Sequence, residues 1–269
     1  MARVNSSQST LQPFDARPLF KQVRSSLLQL LGDLSPPDWD RPTAAGHWLV
    51  SDIAAHLLGD DVSRLSRSRD DYPGPGPSVG ETLAQFLNKF NEQWVEACAR
   101  ISNQVIQDLL AVTSDLMMSY WQQVDLDSLG EPVSWVYPGQ PAPVWLDCAR
   151  DFTEDWIHQE QIRQAVGREQ RPDVTVLYAV LDTFMHAMIH TLYQHDLPHG
   201  STLVVRLEPE LHTSWRWSHG GGGWSASAGV EQPTTEIISG WAHTDCRGAS
   251  GGNPQRAWHS VTKVVDSDS

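Results

Sequence analysis

Apolar residues recur at three- and four-residue spacing through most of the chain up to about residue 195, and a two-residue alternation begins only after Pro198. The first period is that of helices burying one face, the second that of strands. Leu19, Val23, Leu27, Leu30 and Leu31 predict a helix over about 14–31, stopped at Gly32-Asp33. Ser35 to Thr43, with Pro36, Pro37 and Pro42, reads as a loop. A second helix is expected from about Val50 to Ser66, with Ser51 or Asp52 near its N-cap. Pro73, Pro75 and Pro77, interleaved with Gly74 and Gly76, exclude regular structure there. Leu83, Phe86, Leu87, Phe90 and Trp94 mark a third helix over about 79–102, and a fourth is expected over about 104–120.

Residues 125–143 are rich in Pro and Gly, and a long helix follows over 144–166, with Gly167 placed to close it. One more helix fits 174–194. Residues 202–207, 212–217 and 223–227 then carry strand-forming patterns, and the glycine run 220–223 reads as a turn joining strands. The expected organisation is a disordered N-terminus over 1–13, a helical bundle over 14–197, a small β-containing unit over 198–240 and a weakly structured tail over 241–269.

Composition narrows the classes of function. Nineteen Lys and Arg against 33 Asp and Glu give a formal charge of -14, which disfavours contact with nucleic-acid phosphates. No run of about 18 apolar residues and no N-terminal apolar leader are apparent, so neither a membrane span nor secretion is expected. Cys98, Cys148 and Cys246 form no CxxC and are odd in number, which fits reduced thiols in the cytoplasm rather than a disulfide frame. No Gly-x-Ser-x-Gly elbow is present, and His219-Gly220-Gly221-Gly222-Gly223-Trp224 is not a phosphate-binding loop.

Glu154 and His158 stand four apart on the 144–166 helix and so point from one face. A helix supplying His56 would complete two histidines and a carboxylate, the donor set of an open catalytic zinc site. On spacing alone a plainer reading stands beside it. Trp145, Cys148, Ala149, Phe152 and Trp156 form the apolar face of that helix. Glu154 and His158 lie roughly opposite, with Asp147, Arg150, Asp151 and Gln161, as solvated polar residues would. Asp182, His186 and His190 are a rival cluster at i, i+4, i+8, interleaved with Met185, Met188 and Ile189 as on a core-edge helix.

Two longer stretches carry a resemblance. Gly46-His47-Trp48-Leu49-Val50-Ser51-Asp52-Ile53-Ala54-Ala55-His56-Leu57-Leu58-Gly59-Asp60, preceded by Asp38-Trp39-x-x-Pro42-Thr43, resembles the first signature of the mycothiol-dependent maleylpyruvate isomerase family. That family belongs to the DinB-like metal-binding bundles. Asn91-x-x-Trp94-Val95 fits as well, and so does Phe152-Thr153-Glu154-Asp155-Trp156-Ile157-His158-Gln159-x-Gln161-Ile162-Arg163-x-Ala165-Val166-Gly167. Leu181-Asp182-Thr183-Phe184-Met185 resembles the start of the last bundle helix, and the likeness covers about residues 14–230.

The resemblance implies a mainly-α fold: a DinB-like four-helix bundle with a smaller C-terminal α+β domain. It also implies a divalent metal, usually zinc, on His56, Glu154 and His158. Such an ion, with one position open, stabilises the thiolate of mycothiol or a related low-molecular-weight thiol. The thiolate then adds to an electrophilic substrate, as an isomerase or a thiol S-transferase requires. Asp60 and Gln161 are candidates to orient the ligands from behind. The partners expected are small molecules, with no nucleic acid and no membrane, in the cytoplasm. A metal-dependent hydrolase and a non-enzymatic metal-binding module are the alternative readings. The family's substrate-handling arginine near the chain end has no clear match; Arg206, Arg216 and Arg247 are candidates without a motif. Beyond Ile238 the chain departs from the family's ending.

Overall fold

A computed structural model describes residues 11–132, 141–207 and 213–229. Its helices are α1 (Arg17–Gly32), α2 (Val50–Arg64), α3 (Leu83–Cys98), α4 (Asn103–Gln123), α5 (Val144–Val166) and α6 (Val174–Tyr193). Its strands are β1 (Leu129–Pro132), β2 (Pro141–Pro143), β3 (Thr202–Leu207), β4 (Thr213–Gly220) and β5 (Gly223–Gly229). The mainly-α expectation with a smaller sheet-containing part holds.

Local chemistry explains most boundaries. The Asp52 carboxylate accepts from the Leu49 backbone N–H at 2.9 Å, capping α2 with negative charge in its first turn. Thr82 and Gln85 exchange hydrogen bonds at the start of α3, and Ser102 accepts from Val105 N at α4. Asp173 accepts from Thr175 N and Val176 N at the start of α6. Gly167 ends α5 in the left-handed region at φ +69°, which glycine adopts without steric cost. Three local features differ from the sequence-based expectation, one of them the antiparallel pairing of β1 with β2 inside the Pro- and Gly-rich stretch 125–143. The 35–43 loop contains a 3₁₀ turn at Pro36–Asp40, and α2 widens into a π turn over Leu65–Arg69 rather than ending at Ser66.

Helix α5 joins the bundle to α6 and the sheet-bearing part. Its neighbours include α1, α2 and α6. Arg64 of α2 reaches Asp151 and Asp147 of α5, while His56 lies against His158. Rising numbers on α2 therefore meet falling numbers on α5, and the two helices run antiparallel. One apolar cluster joins Phe20 and Val23 to Trp121, Phe152 and Val180. A second joins Leu27, Ile53, Leu57, Leu110 and Ile162. Burial of each such side chain is worth roughly 1.5–3 kcal/mol.

Strands β3, β4 and β5 form an antiparallel sheet in that order, with a two-residue turn at Gly221-Gly222 joining β4 to β5 as the glycine run predicted. Alternation sends Leu203, Val205, Trp215, Trp217 and Ala226 to one face, which packs with Met185 and Leu192 of α6 and with Leu11. Arg206 and Arg216 pair with Ser214 and Val204 across the strands and so fall on the opposite face. By length and composition α6, with mean hydropathy 1.2, could cross a membrane. It buries Asp182, Thr183 and His186 within the protein and packs on α5 and the sheet. Residues 230–269, including Arg247 and Cys246, lie outside the described residues, as do residues 1–10.

Candidate metal centre

His56 comes one residue before Leu57 on the inner side of α2, and its imidazole is buried. Its ring centroid lies 4.8 Å from that of His158, with the planes at 82°. Glu154 sits one turn before His158 on α5, and its Oε2 is 3.4 Å from His158 Nε2. One ligand atom from each of His56, Glu154 and His158 lies within 4.8 Å of the other two. Three donors about 2.0–2.2 Å from a shared ion would be separated by 3–4 Å, so the cluster fits a divalent cation after small side-chain adjustments. It is the group of at least three His, Cys, Asp or Glu side chains found with this property among the described residues.

The contacts behind the ligands suit that role. His158 Nδ1 meets Gln161 Oε1 at 2.8 Å. With the amide so assigned, a proton on Nδ1 leaves the Nε2 lone pair directed toward Glu154. Gln161 is itself buried, and its Nε2 has no acceptor. Asp60, one turn after His56, brings Oδ2 to 3.3 Å from His56 Nε2. Trp48 covers His56 with ring centroids 4.8 Å apart, and Glu92 of α3 accepts from its indole at 3.2 Å while also meeting His47.

Electrostatics follows from this packing. Burial, reinforced by His158, lowers His56 to about 3, so the ring is neutral and available as a ligand. For His158 burial opposes the charge, yet the hydrogen bond and charge of Glu154 outweigh it and raise the pKa. Glu154 shows the converse: burial pushes it up, and the two histidines bring it below its ordinary value. A proton on His158 and a metal ion are thus rival ways of neutralising Glu154. Asp60 is raised, first by burial and then by Glu154. Its side chain, like that of Glu154, is closely surrounded yet about two-fifths exposed, at 41% and 43%. Both therefore stand at the mouth of the site, where water moderates the shift.

The polar face of α5 is the main correction to the sequence reading. Asp147, Asp155, His158 and Gln161 are buried, not solvated. Their charges are met by two arginines. Arg64 donates to Asp151 and Asp147 and lies over the Trp121 ring. Arg24 of α1 lies between Asp61 and Asp155, and Thr113 donates to Asp61 at 2.6 Å. Sequence reasoning passed over Arg24, although an arginine between Phe20, Val23 and Leu27 on an apolar stripe implies a buried partner. It also gave Trp48 no part in the site.

The rival cluster does not close. Asp182 Oδ1 accepts from the Trp215 indole at 2.7 Å, His186 Nε2 is 3.9 Å from the other oxygen, and His190 pairs with Gln194 in an exposed position. Cys98 and Cys148 are free and buried, and burial raises both thiols. Neither has the electropositive, accessible setting of a nucleophile.

The helical bundle thus presents a histidine from one helix and a Glu-x-x-x-His pair from its antiparallel neighbour, a donor set that could hold a divalent ion. Residues 20–163, just over half the chain, match the family described as the mycothiol maleylpyruvate isomerase N-terminal domain. The chain belongs to that family, and its fold is a DinB-like bundle with a smaller α+β part. A crystal structure of a histidine-to-alanine mutant of the mycothiol-dependent maleylpyruvate isomerase superposes with a TM-score of 0.53 at 11% identity. The superposition covers 75% of this chain and 80% of that one, and at this identity it shows the fold. No curated protein matches the chain in sequence.

Proposed function

We propose that this chain is a divalent-metal enzyme of the maleylpyruvate isomerase type, an isomerase or S-transferase using a low-molecular-weight thiol such as mycothiol. Its family membership and the convergence of His56, Glu154 and His158 on one point support the reading. The convergence carries it, because two histidines and a carboxylate leave a position open to an exogenous ligand. A zinc ion held there would supply Lewis acidity that favours the thiolate form of a bound thiol near neutral pH.

The chain's own residues do the rest. Gln161 holds the His158 ring and its tautomer, Asp60 stands beside His56 at the mouth of the site, and Trp48 screens His56 from water. Glu154 supplies the negative charge that offsets part of the ion's own. The two buried thiols take no part. A soluble cytoplasmic setting and small-molecule partners accompany this reading. The helical bundle over 14–197 and the β-containing unit over 198–240 are its proposed domains.

Elemental analysis of purified protein beside His56→Ala tests the site. About one zinc or other divalent ion per chain is expected in the wild type and none in the variant. A wild type that stays metal-free after reconstitution would leave only a non-enzymatic role for the bundle. Cobalt-substituted protein titrated with mycothiol then separates the chemistries. A sulfur-to-metal charge-transfer band is expected. Its absence would favour a hydrolase using metal-activated water.

A further inference from the structure

We propose that Arg24 is a positioning residue of the metal centre, its buried guanidinium setting the separation of the two helices that carry the ligands. The inference rests on the metal-site reading above. His56 is supplied by α2, and Glu154 and His158 by α5, so coordination depends on the spacing and rotation of these two helices. Metal–ligand distances tolerate only about 0.2 Å.

Arg24 belongs to neither helix and grips both. Its Nη1 donates to Asp61 Oδ2 of α2 at 3.0 Å, and its Nη2 meets the other oxygen of the same carboxylate. Its Nε stands 2.6 Å from Asp155 Oδ2 of α5. Asp155 directly follows the ligand Glu154, and Asp61 directly follows Asp60, which touches His56. Arg24 is 4% exposed, and its charge is fixed because a guanidinium does not deprotonate in proteins. A cavity of about 20 Å³, room for a single water, lies among Arg24, Asp61, Asp155, Asp60 and Glu154. The ion cluster and the Glu154 side chain thus line one shared water-sized space. The planar fork is hydrogen-bonded through two nitrogens to Asp61 and so fixes orientation on α2, which a flexible point charge does not, while Asp155 of α5 is drawn to the same guanidinium as a close ion pair.

A purely stabilising role makes a different prediction. Buried ion clusters replaced by apolar residues of similar volume often keep or gain stability. The triple variant Arg24→Met/Asp61→Leu/Asp155→Leu is thus expected to retain its helical circular dichroism and cooperative unfolding. Its dissociation constant for Co²⁺ should rise about 10- to 100-fold, as when outer partners of ligands are lost. The visible d–d bands of the cobalt protein should change, reporting altered coordination. Leu110→Ala, a core deletion on α4, is the control: it should lower the unfolding temperature yet keep wild-type affinity and spectrum.

A triple variant with wild-type cobalt affinity and bands overturns the role of Arg24 while leaving the site intact. A wild type that takes up no Co²⁺ overturns the metal site and the positioning role with it. If the triple variant does not fold, Arg24→Lys carries the same comparison. It keeps the charge and loses the fork, so weakened binding with altered bands supports the proposal and unchanged binding refutes it.

Discussion

His186 turns the packing of α6 on α5 into a titration. Its ring meets Trp145 edge-on with centroids 4.8 Å apart, and its Nε2 is buried without a hydrogen-bond partner. Asp182 Oδ2 is 3.9 Å away, and the other oxygen is engaged by Trp215. Burial raises Asp182 too, which thins the negative charge beside the ring as pH falls. With little to stabilise an imidazolium, burial lowers His186 to about 4. The unfolded ring titrates near 6.5. Above that value the group leaves stability unchanged. Below it the unfolded chain binds a proton that the folded chain does not, so stability falls until the folded ring titrates near 4.

The two values put the loss at roughly 3 kcal/mol across the window and at about 2 kcal/mol by pH 5. His186→Phe keeps a ring against Trp145 and removes the proton site. Urea unfolding of both proteins at pH 7.5 and pH 5, at fixed ionic strength, cancels the carboxylates they share. The stability of the variant relative to wild type should improve by about 2 kcal/mol on acidification. A relative stability that does not move with pH would show that the ring is hydrated or paired, and the burial argument would fail.

Three further outcomes are expected. Gln161→Leu should weaken Co²⁺ binding by about 10- to 100-fold with one site per chain retained, because nothing then fixes the His158 ring; unchanged affinity in an absorbance titration would remove Gln161 from the site. Gly59→Ala places a methyl 2.6 Å from Trp94 Cδ1, against an indole that donates to Ala55 O at 2.8 Å. The helix-propensity gain of about 1 kcal/mol is outweighed by overpacking of about 1–3 kcal/mol and a lost hydrogen bond of about 1 kcal/mol. Thermal unfolding should shift downward by several degrees, and an upward shift would mean that Trp94 relaxes freely. Gly167→Ala forces a Cβ into the left-handed region at φ +69°, at a cost of about 1–2 kcal/mol that denaturant unfolding can read; a neutral effect would show that the end of α5 rewinds.

Much of this protein is written locally. The apolar spacing located every helix to within a few residues, and for α5 it gave both ends, because periodicity and a capping glycine act over one or two turns. The strand pattern and the glycine turn between β4 and β5 were legible for the same reason. So was the family, through the stretches around His56 and Glu154. What the sequence left open was which way the polar side of α5 faces. Polar periodicity marks a solvated face only when no partner waits inside, and Arg24, Arg64 and Asp61 lie on other helices. Only packing shows that Arg64 meets Asp147 and Asp151, and that Arg24 meets Asp155 together with Asp61, so that a charged face can be buried. Packing likewise decided between two clusters of equal spacing. The antiparallel approach of α2 and α5 brings His56 to Glu154 and His158, while Trp215 claims Asp182 and α6 leaves His190 outside. Donor types follow from composition and spacing along one helix; their convergence depends on where a second helix lies, which the whole core decides.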